Sequence, residues 1–208
     1  MKKFLGKLPV MITLVSLAVV MLVAYIVMLV RPVAYGFTYK GKQDFMETGK
    51  KQEITMKFNN DEVARTTIKS EDDEIVLDSW IYRDGDYVVP VESGFGLVPC
   101  LKKVVKADEA TKTYLEKNLV ISEAEYDDMI KGVKEFKEKD PKAYEAGLKK
   151  VGYKANAFKL VIGEGKDAVT YTCTGSIVFA AVGGVVLVAL LTFGAFSVVY
   201  FIKGKKKA

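Results

Sequence analysis

Two long apolar runs that carry no charge constrain this chain more than any other feature. Residues 8–30 and 175–202 contain no Asp, Glu, Lys or Arg, whereas all 26 acidic residues lie between Asp44 and Asp167. A helix of about 20 apolar residues is long enough to cross the hydrocarbon core of a bilayer. The sequence therefore predicts transmembrane helices at 8–30 and 175–202, with a domain at 31–174 between them.

The first run could instead be a signal peptide that is removed from the mature protein. Its 23 uncharged residues exceed the usual h-region of about 7–15 residues. The chain also continues as Leu29, Val30, Arg31 and Pro32, which offers no cleavage site of the small-x-small type. These features favour a retained membrane helix.

Both short tails are basic, which predicts the topology. Short cytoplasmic flanks of membrane spans carry an excess of lysine and arginine. We therefore expect residues 1–7 and 203–208 in the cytoplasm and residues 31–174 outside, in a plasma membrane, with Arg31, Lys40 and Lys42 as counter-evidence. The predicted anchors of this topology are Lys2, Lys3, Lys7, Lys203, Lys205, Lys206 and Lys207.

The composition favours a bacterial membrane, because the chain is rich in lysine and lacks histidine. In a eukaryote, the terminal sequence from Lys205 to Ala208 would instead match a dilysine signal for retrieval to the endoplasmic reticulum. The sequence leaves this second interpretation open.

The net positive charge of the protein belongs to the flanks of the apolar runs. Eight of the 31 basic residues lie there, so residues 32–174 carry a net charge of −3. Binding of nucleic acid requires a basic face on a folded domain. The sequence therefore gives no reason to expect a nucleic-acid partner.

Small residues recur in the second apolar run at Ser176, Ala180 and Gly184. Small side chains on one face of a membrane helix let another helix approach closely. We expect this stripe to pack against the first span or against another subunit, although glycine is also simply common in membrane helices.

The domain between the runs shows strand patterns, then helix patterns, then strand patterns again. Alternating apolar residues predict strands at 51–58, 63–68, 75–83 and 86–91, and a closing hairpin at 156–162 and 167–174. This order predicts an α+β ectodomain, with about three helices packed on one face of a mainly antiparallel sheet. If the two spans are neighbours, a strand near 35–39 should pair with the closing hairpin.

The strongest turn signal is Asp84-Gly85 between two alternating runs. A two-residue turn at this dipeptide is typical of hairpins. It would place Arg83 opposite Asp86 and Tyr82 opposite Tyr87.

Three helices are predicted in the middle of the domain. Ser122 and Glu125 form a capping box that begins the most secure helix. Asp140-Pro141 begins a shorter helix, with Tyr144, Leu148 and Val151 on its inner side. A weaker helix is predicted at 108–118, with Ala110, Tyr114 and Leu115 facing inward.

No catalytic residues, metal ligands or cofactor-binding residues are predicted. The absence of histidine excludes catalytic sites that need a histidine base and metal sites built on histidine. The acidic run 71–74 could hold calcium, but it lacks the spacing of a calcium loop and is better explained as a solvated turn.

Cys100 and Cys173 are the only cysteines. In the predicted topology both lie outside the cytoplasm, where a disulfide can persist. The sequence leaves open whether they form this disulfide or are two buried thiols.

These patterns favour a two-pass membrane protein whose domain is a non-catalytic protein-interaction module or an accessory subunit. Its expected partners are the lipid bilayer and another membrane subunit, or a second copy of the chain. One alternative is a ligand-binding or sensor domain with an apolar pocket between sheet and helices. Another is a surface hydrolase that uses two carboxylates about 5–10 Å apart.

Overall fold

The computed structural model describes residues 7–44, 49–71, 73–90, 100–151, 153–162 and 168–205. The chain divides into two compact units. One unit contains Met1–Arg31 and Ser176–Ala208, and the other contains Pro32–Gly175.

The first unit is helical. Helix α1 spans Leu8–Val30 and helix α5 spans Thr174–Lys205. Both are long and apolar enough to cross a membrane, α5 over Thr174–Lys203. Proline at the start of α1 fits the first turn of a helix, where a backbone N–H has no partner within the helix.

The two long helices face each other along regular stripes. The less exposed positions of α1 recur at alternating intervals of three and four residues, at Met11, Leu14, Ala18, Met21, Tyr25 and Met28. In α5, a set of the less exposed positions recurs in the same way, at Ala180, Gly183, Leu187, Leu190, Gly194 and Ser197. Intervals of three and four are those of helices that cross at a small angle with interdigitating side chains.

In the described part of the second unit, nine strands form one sheet. They are β1 (Thr38–Gln43), β2 (Gln52–Phe58), β3 (Val63–Lys69), β4 (Glu74–Asp84), β5 (Tyr87–Pro90), β6 (Leu101–Lys106), β7 (Tyr153–Ala155), β8 (Lys159–Ile162) and β9 (Val169–Thr172). Three helices lie between β6 and β7, namely α2 (Glu109–Asn118), α3 (Glu123–Lys139) and α4 (Pro141–Val151).

The strands close into an antiparallel barrel of eight strands. Neighbours around the barrel are β1, β2, β3, β4, β5, β7, β8 and β9, and β9 pairs again with β1 through Lys40 and Thr172. The predicted pairing of the first strand with the closing hairpin is therefore confirmed. The predicted antiparallel sheet with helices is present, and the pairing of β3 with β4 closes this sheet into a barrel.

Strand β6 is an addition to this barrel. It pairs with residues 76–79 of β4, whereas β5 pairs with residues 81–84. Because β3 occupies the other edge of β4, β5 and β6 follow one another along the same edge.

Side chains fill the barrel. The buried cluster includes Tyr39, Phe58, Leu101, Leu160 and Tyr171, each at most 1% exposed. An eight-stranded barrel is just wide enough for its interior to be filled in this way. The interior is a core, and the binding surfaces must be sought outside it.

A second cluster lies between the barrel and α3. Trp80 stacks on Tyr126 with ring centroids 4.6 Å apart, and the Tyr126 hydroxyl donates a 2.6 Å hydrogen bond to the carbonyl of Ile81. Burial raises the pKa of Tyr126 to about 12, so the hydroxyl remains a donor. This contact attaches the helices to the outer side of the barrel.

The segment that follows α1 closes one end of the barrel. Val33 and Ala34 are buried in the barrel core, and the hydroxyl of Tyr39 accepts a 2.8 Å hydrogen bond from the Ala34 amide. Cys173, next to the first residue of α5, is also buried there. Both chain ends of this unit are therefore packed into its core.

The hairpin register differs from the predicted one. Asp84 pairs with Tyr87 and Arg83 with Val88, so the turn residues are Gly85 and Asp86 rather than Asp84 and Gly85. Asp84 remains in the strand, where the ammonium group of Lys137 from α3 binds its carboxylate. A shift of two residues leaves every side chain on its predicted face, because the period of a strand is two.

The predicted capping box is confirmed, because Ser122 and Glu125 form it at the start of α3. The helix predicted at 108–118 begins at Glu109, with Asp108 as its N-cap. On α2, the prediction that Tyr114 and Ala110 face inward was wrong. Tyr114 is 63% exposed, and Ala110 is also exposed. Leu115 alone of that set packs on the barrel core.

Candidate binding groove between the hairpin turn and the helices

A groove of about 310 Å³ lies between the β4–β5 turn and the helices α3 and α4. The turn contributes Asp84, Gly85, Asp86 and Tyr87, and the helices contribute Lys137, Pro141, Tyr144, Glu145, Leu148 and Lys149. The volume is at the lower end of the range for small-ligand pockets.

The charges at the base of the groove are paired. The ammonium group of Lys137 donates to both carboxylate oxygens of Asp84 at 2.8 Å. These bonds hold the pKa of Asp84 below its usual value. A general acid needs a carboxyl pKa raised towards neutrality, so the pairing works against acid catalysis by Asp84.

The groove residue Tyr144 has an exposed aromatic neighbour, Phe136, beside the groove. Tyr144 is 6% exposed, and its ring meets Phe136 edge to face at 6.3 Å. Phe136 itself is 48% exposed. Burial and the neighbouring Asp84 raise the pKa of Tyr144, so its hydroxyl stays protonated at neutral pH. Partly exposed aromatic residues beside a groove are typical of protein-binding surfaces.

A second depression lies at the β3–β4 turn, where the sequence has its acidic run. Its volume is about 300 Å³, and it is lined by Lys69, Ser70, Glu71, Asp73, Glu74, Lys106, Ala107 and Asp108. Lys106 forms an ion pair with Glu74 and lowers the pKa of that carboxyl group. Among the described residues, no group of three or more acidic, cysteine or histidine side chains is placed to hold a metal ion.

The two cysteines lie in different clusters. Cys173 is in the barrel core, whereas Cys100 packs with Trp80 and Tyr126 beneath α3. Both are buried thiols, and the Cys100 sulfur lies 3.5 Å from the sulfur of Met129. The sequence left open a disulfide or two buried thiols, and in this structure the cysteines are two buried thiols.

The small-residue stripe of α5 lies along α1. Ser176 is buried, whereas Ala180 and Gly184 are partly buried. A Cβ at Gly184 would lie 3.5 Å from the Tyr25 hydroxyl, and one at Gly183 would lie 3.7 Å from the Tyr25 ring. In this structure the chain's own first helix approaches the stripe at Gly184, and packing against another subunit remains a prediction.

The lysines that predict the topology lie at the ends of the two helices. Lys7 and Lys203 are exposed, and Lys205 is the last residue of α5. Lys2, Lys3, Lys206 and Lys207 lie outside the described residues.

Sequence reasoning did not identify the groove. Local patterns predicted three of its parts separately. These are the turn at Gly85, the helix that starts at Asp140-Pro141, and the side of α4 that faces inward. The missing information was the contact between Asp84 and Lys137, which are 53 positions apart. Patterns within a single sequence do not predict a contact between residues that far apart.

Comparisons with protein-family models, with curated proteins and with solved structures find no match to this chain.

Proposed function

We propose that the chain is a two-pass integral membrane protein whose barrel domain is a non-catalytic interaction module, an accessory subunit that binds another membrane protein. The observation that carries this proposal is the groove between the β4–β5 turn and α4, with Phe136 exposed beside Tyr144. Aromatic residues that flank a groove contribute a large share of the binding energy in protein complexes.

The charge state of the groove supports binding rather than hydrolysis. Two carboxylates that hydrolyse a glycoside need one carboxyl group with a raised pKa. Asp84 has a lowered pKa because Lys137 binds it, and Glu74 in the other depression has a lowered pKa because Lys106 binds it. Neither depression therefore offers a proton donor of the required kind from these two groups.

In this proposal both tails are cytoplasmic and residues 31–174 are outside, in a bacterial plasma membrane. In this arrangement the barrel domain outside carries the interaction. Cysteines introduced at Lys7 and at Tyr114, both exposed, can be labelled in intact cells with a membrane-impermeant maleimide. Labelling at Tyr114→Cys alone supports the topology, and labelling at Lys7→Cys alone contradicts it.

The interaction is tested by photo-crosslinking in cells that naturally express the chain. A photoreactive phenylalanine analogue replaces Phe136, whose ring contacts the groove residue Tyr144, in the full chain. The control carries the analogue at Tyr114, an exposed aromatic position on α2. We expect one membrane protein to crosslink at 136 and not at 114.

A charge variant sharpens this test. Glu145→Lys reverses a charge that lines the groove, whereas Glu138→Lys makes the same change on α3 away from the groove lining. Loss of the crosslink in the Glu145 variant alone supports the groove. A monomer without crosslinks at position 136 would contradict the proposal, and a bound small molecule in its place would favour the sensor alternative.

A further inference from the structure

The barrel segregates charge onto one of its walls. On β7, β8, β9, β1 and β2 the outward positions carry the lysines Lys40, Lys42, Lys57, Lys154 and Lys159. Glu53 is the only acidic residue among the outward positions of these five strands. The domain as a whole is slightly acidic, so the fold creates a basic surface that the composition does not indicate.

Three of these lysines surround the point where the barrel continues into α5. Lys40 and Lys159 are the direct strand neighbours of Thr172, one on each side. Lys57 lies one strand further, opposite Thr38. We call Lys40, Lys57 and Lys159 the lysine collar.

Chain geometry places the collar close to the start of α5. Thr172 is two residues from Thr174, where α5 begins, so the two Cα atoms are at most about 7 Å apart. Paired Cα atoms in antiparallel strands are about 5 Å apart. The Cα atoms of Lys40 and Lys159 therefore lie within about 12 Å of Thr174, and each side chain extends the reach of its charge.

The length of α5 indicates what this point meets. The 30 residues of Thr174–Lys203 extend over about 45 Å, which equals the thickness of a bilayer with its headgroups, about 40–45 Å. The first residue of α5 then lies at the level of the headgroups. The Cα atoms of Lys40 and Lys159 are then at most about 12 Å from this level, a distance comparable to the Debye length of about 8–10 Å.

The contacts of the collar lysines leave their charges available to bind a ligand. The ammonium group of Lys40 is 3.9 Å from the Glu53 carboxylate, and both side chains are largely exposed, at 60% and 49%. Such surface pairs are weak. In the part of the chain that the structure describes, no ion pair involves Lys57 or Lys159. The hydroxyl groups of Thr38 and Thr172 stand between the lysines as further hydrogen-bonding groups.

We propose that the lysine collar binds the headgroups of anionic phospholipids at the membrane junction of the barrel. The lysine side chains act as point charges towards the phosphates. The outward positions of the five described strands hold no aromatic residue on which a sugar or base could stack. This inference rests on the membrane insertion in the proposed function, but it does not depend on a protein partner.

Native mass spectrometry of the full chain in detergent micelles tests this inference. The micelles are supplemented with phosphatidylglycerol or with phosphatidylcholine, and the bound lipids are counted. We expect the wild type to retain phosphatidylglycerol preferentially. The variant K40Q/K57Q/K159Q should lose affinity for it by about fivefold per lysine, since each lysine near an anionic surface contributes on that order.

A matched variant controls for net charge. K131Q/K139Q/K142Q removes three exposed lysines from α3 and α4 and leaves the tail lysines in place. It should retain phosphatidylglycerol like the wild type. The near-ultraviolet circular dichroism of Trp80 and Tyr126 reports whether each variant keeps its fold.

The outcomes separate the two proposals. Equal retention of both lipids, equal losses in the two triple variants, or equally strong binding of soluble glycerol phosphate would overturn the collar as a lipid site. Insertion is measured separately, by resistance of the reconstituted chain to extraction with alkaline carbonate. An extracted chain overturns the membrane function together with this inference, whereas an inserted chain without collar-dependent selectivity overturns this inference alone.

Discussion

Tyr171 packs against Gly41 inside the barrel, across the seam at which the last strand meets the first. A Cβ at position 41 would lie 2.5 Å from Cδ1 of the Tyr171 ring. The ring is held in place from its other end, because its hydroxyl donates a 2.8 Å hydrogen bond to the side-chain carbonyl of Gln43. The closure of the barrel therefore requires the absence of a side chain at one position of β1.

Gly41→Ala should destabilise the domain by about 1–3 kcal/mol, because the added methyl group overpacks the barrel core. The matched control is Gly147→Ala in α4, where a Cβ would meet nothing within 4 Å. That change should stabilise the domain by about 0.5–1 kcal/mol, since alanine is the better helix former. Urea denaturation in mild detergent, followed by near-ultraviolet circular dichroism, measures both. Equal stability of the Gly41 variant and the wild type would contradict the packing.

Tyr39→Phe should cost about 1–3 kcal/mol, because it removes two buried hydrogen bonds at the barrel end next to α1. The Tyr39 hydroxyl accepts from the Ala34 amide and donates to the Asn156 carbonyl, both at 2.8 Å. Burial raises the pKa of Tyr39 to about 12, so the donor persists at neutral pH. Tyr114→Phe removes an exposed hydroxyl and serves as the control. Similar denaturation midpoints for the two variants would argue against this anchor.

Arg65→Gln should make the domain less stable at neutral pH, by an amount that shrinks on acidification. Arg65 donates hydrogen bonds of 2.7 and 2.9 Å to the buried Asp78 carboxylate and holds its pKa below the usual value. A lowered folded-state pKa contributes stability that is fully present above the unfolded value of about 3.9 and is lost as the pH falls through the folded value. The difference from the wild type should therefore narrow below about pH 4. Denaturation curves at a series of pH values check this, and a gap that stays constant would refute it.

Both cysteines should be unreactive in the folded protein and fully reactive once it is unfolded. Cys100 and Cys173 are 1% and 0% exposed and lie in separate clusters. A maleimide gel-shift assay should show no modification in mild detergent and two modifications in denaturant without reductant. If labelling in denaturant required prior reduction, the chain would contain a disulfide instead.

Cysteines at Val15 and Gly194 should be joined by a short thiol-specific crosslinker within one chain. A Cβ at position 194 would lie 4.0 Å from Cγ2 of Val15. The control pair, Val20→Cys with Val185→Cys, uses positions that are 62% and 72% exposed. Proteolytic cleavage between the helices, followed by electrophoresis, distinguishes joined from separate fragments. Crosslinked dimers in place of intrachain products would show that the face of α5 containing Gly194 packs against a second subunit.

The groove and the collar show why a single sequence gives only part of a site. Local patterns alone predicted Tyr144 on a helix and Asp84 in a turn. Lys40 and Lys159 both flank Thr172 only because β9 pairs with β1. The hydrogen bond between Tyr171 of β9 and Gln43 of β1 joins residues 128 positions apart. Contacts at such separations depend on strand order, which alternation of apolar residues does not specify.

The sequence alone predicted the elements that are stabilised by residues close to one another in the chain. The lengths of the apolar runs determined α1 and α5, since about 20 uncharged apolar residues match a bilayer core. The Ser122–Glu125 capping box determined the start of α3, and alternation determined the outward faces of the strands. The tertiary structure alone decided that the sheet closes into a filled barrel, that the turn lies at Gly85-Asp86, and that basic residues share one wall. These features arise from packing between segments that are distant in sequence. The free energy gained by filling the core and pairing charges there outweighs the conformational preference of any one segment.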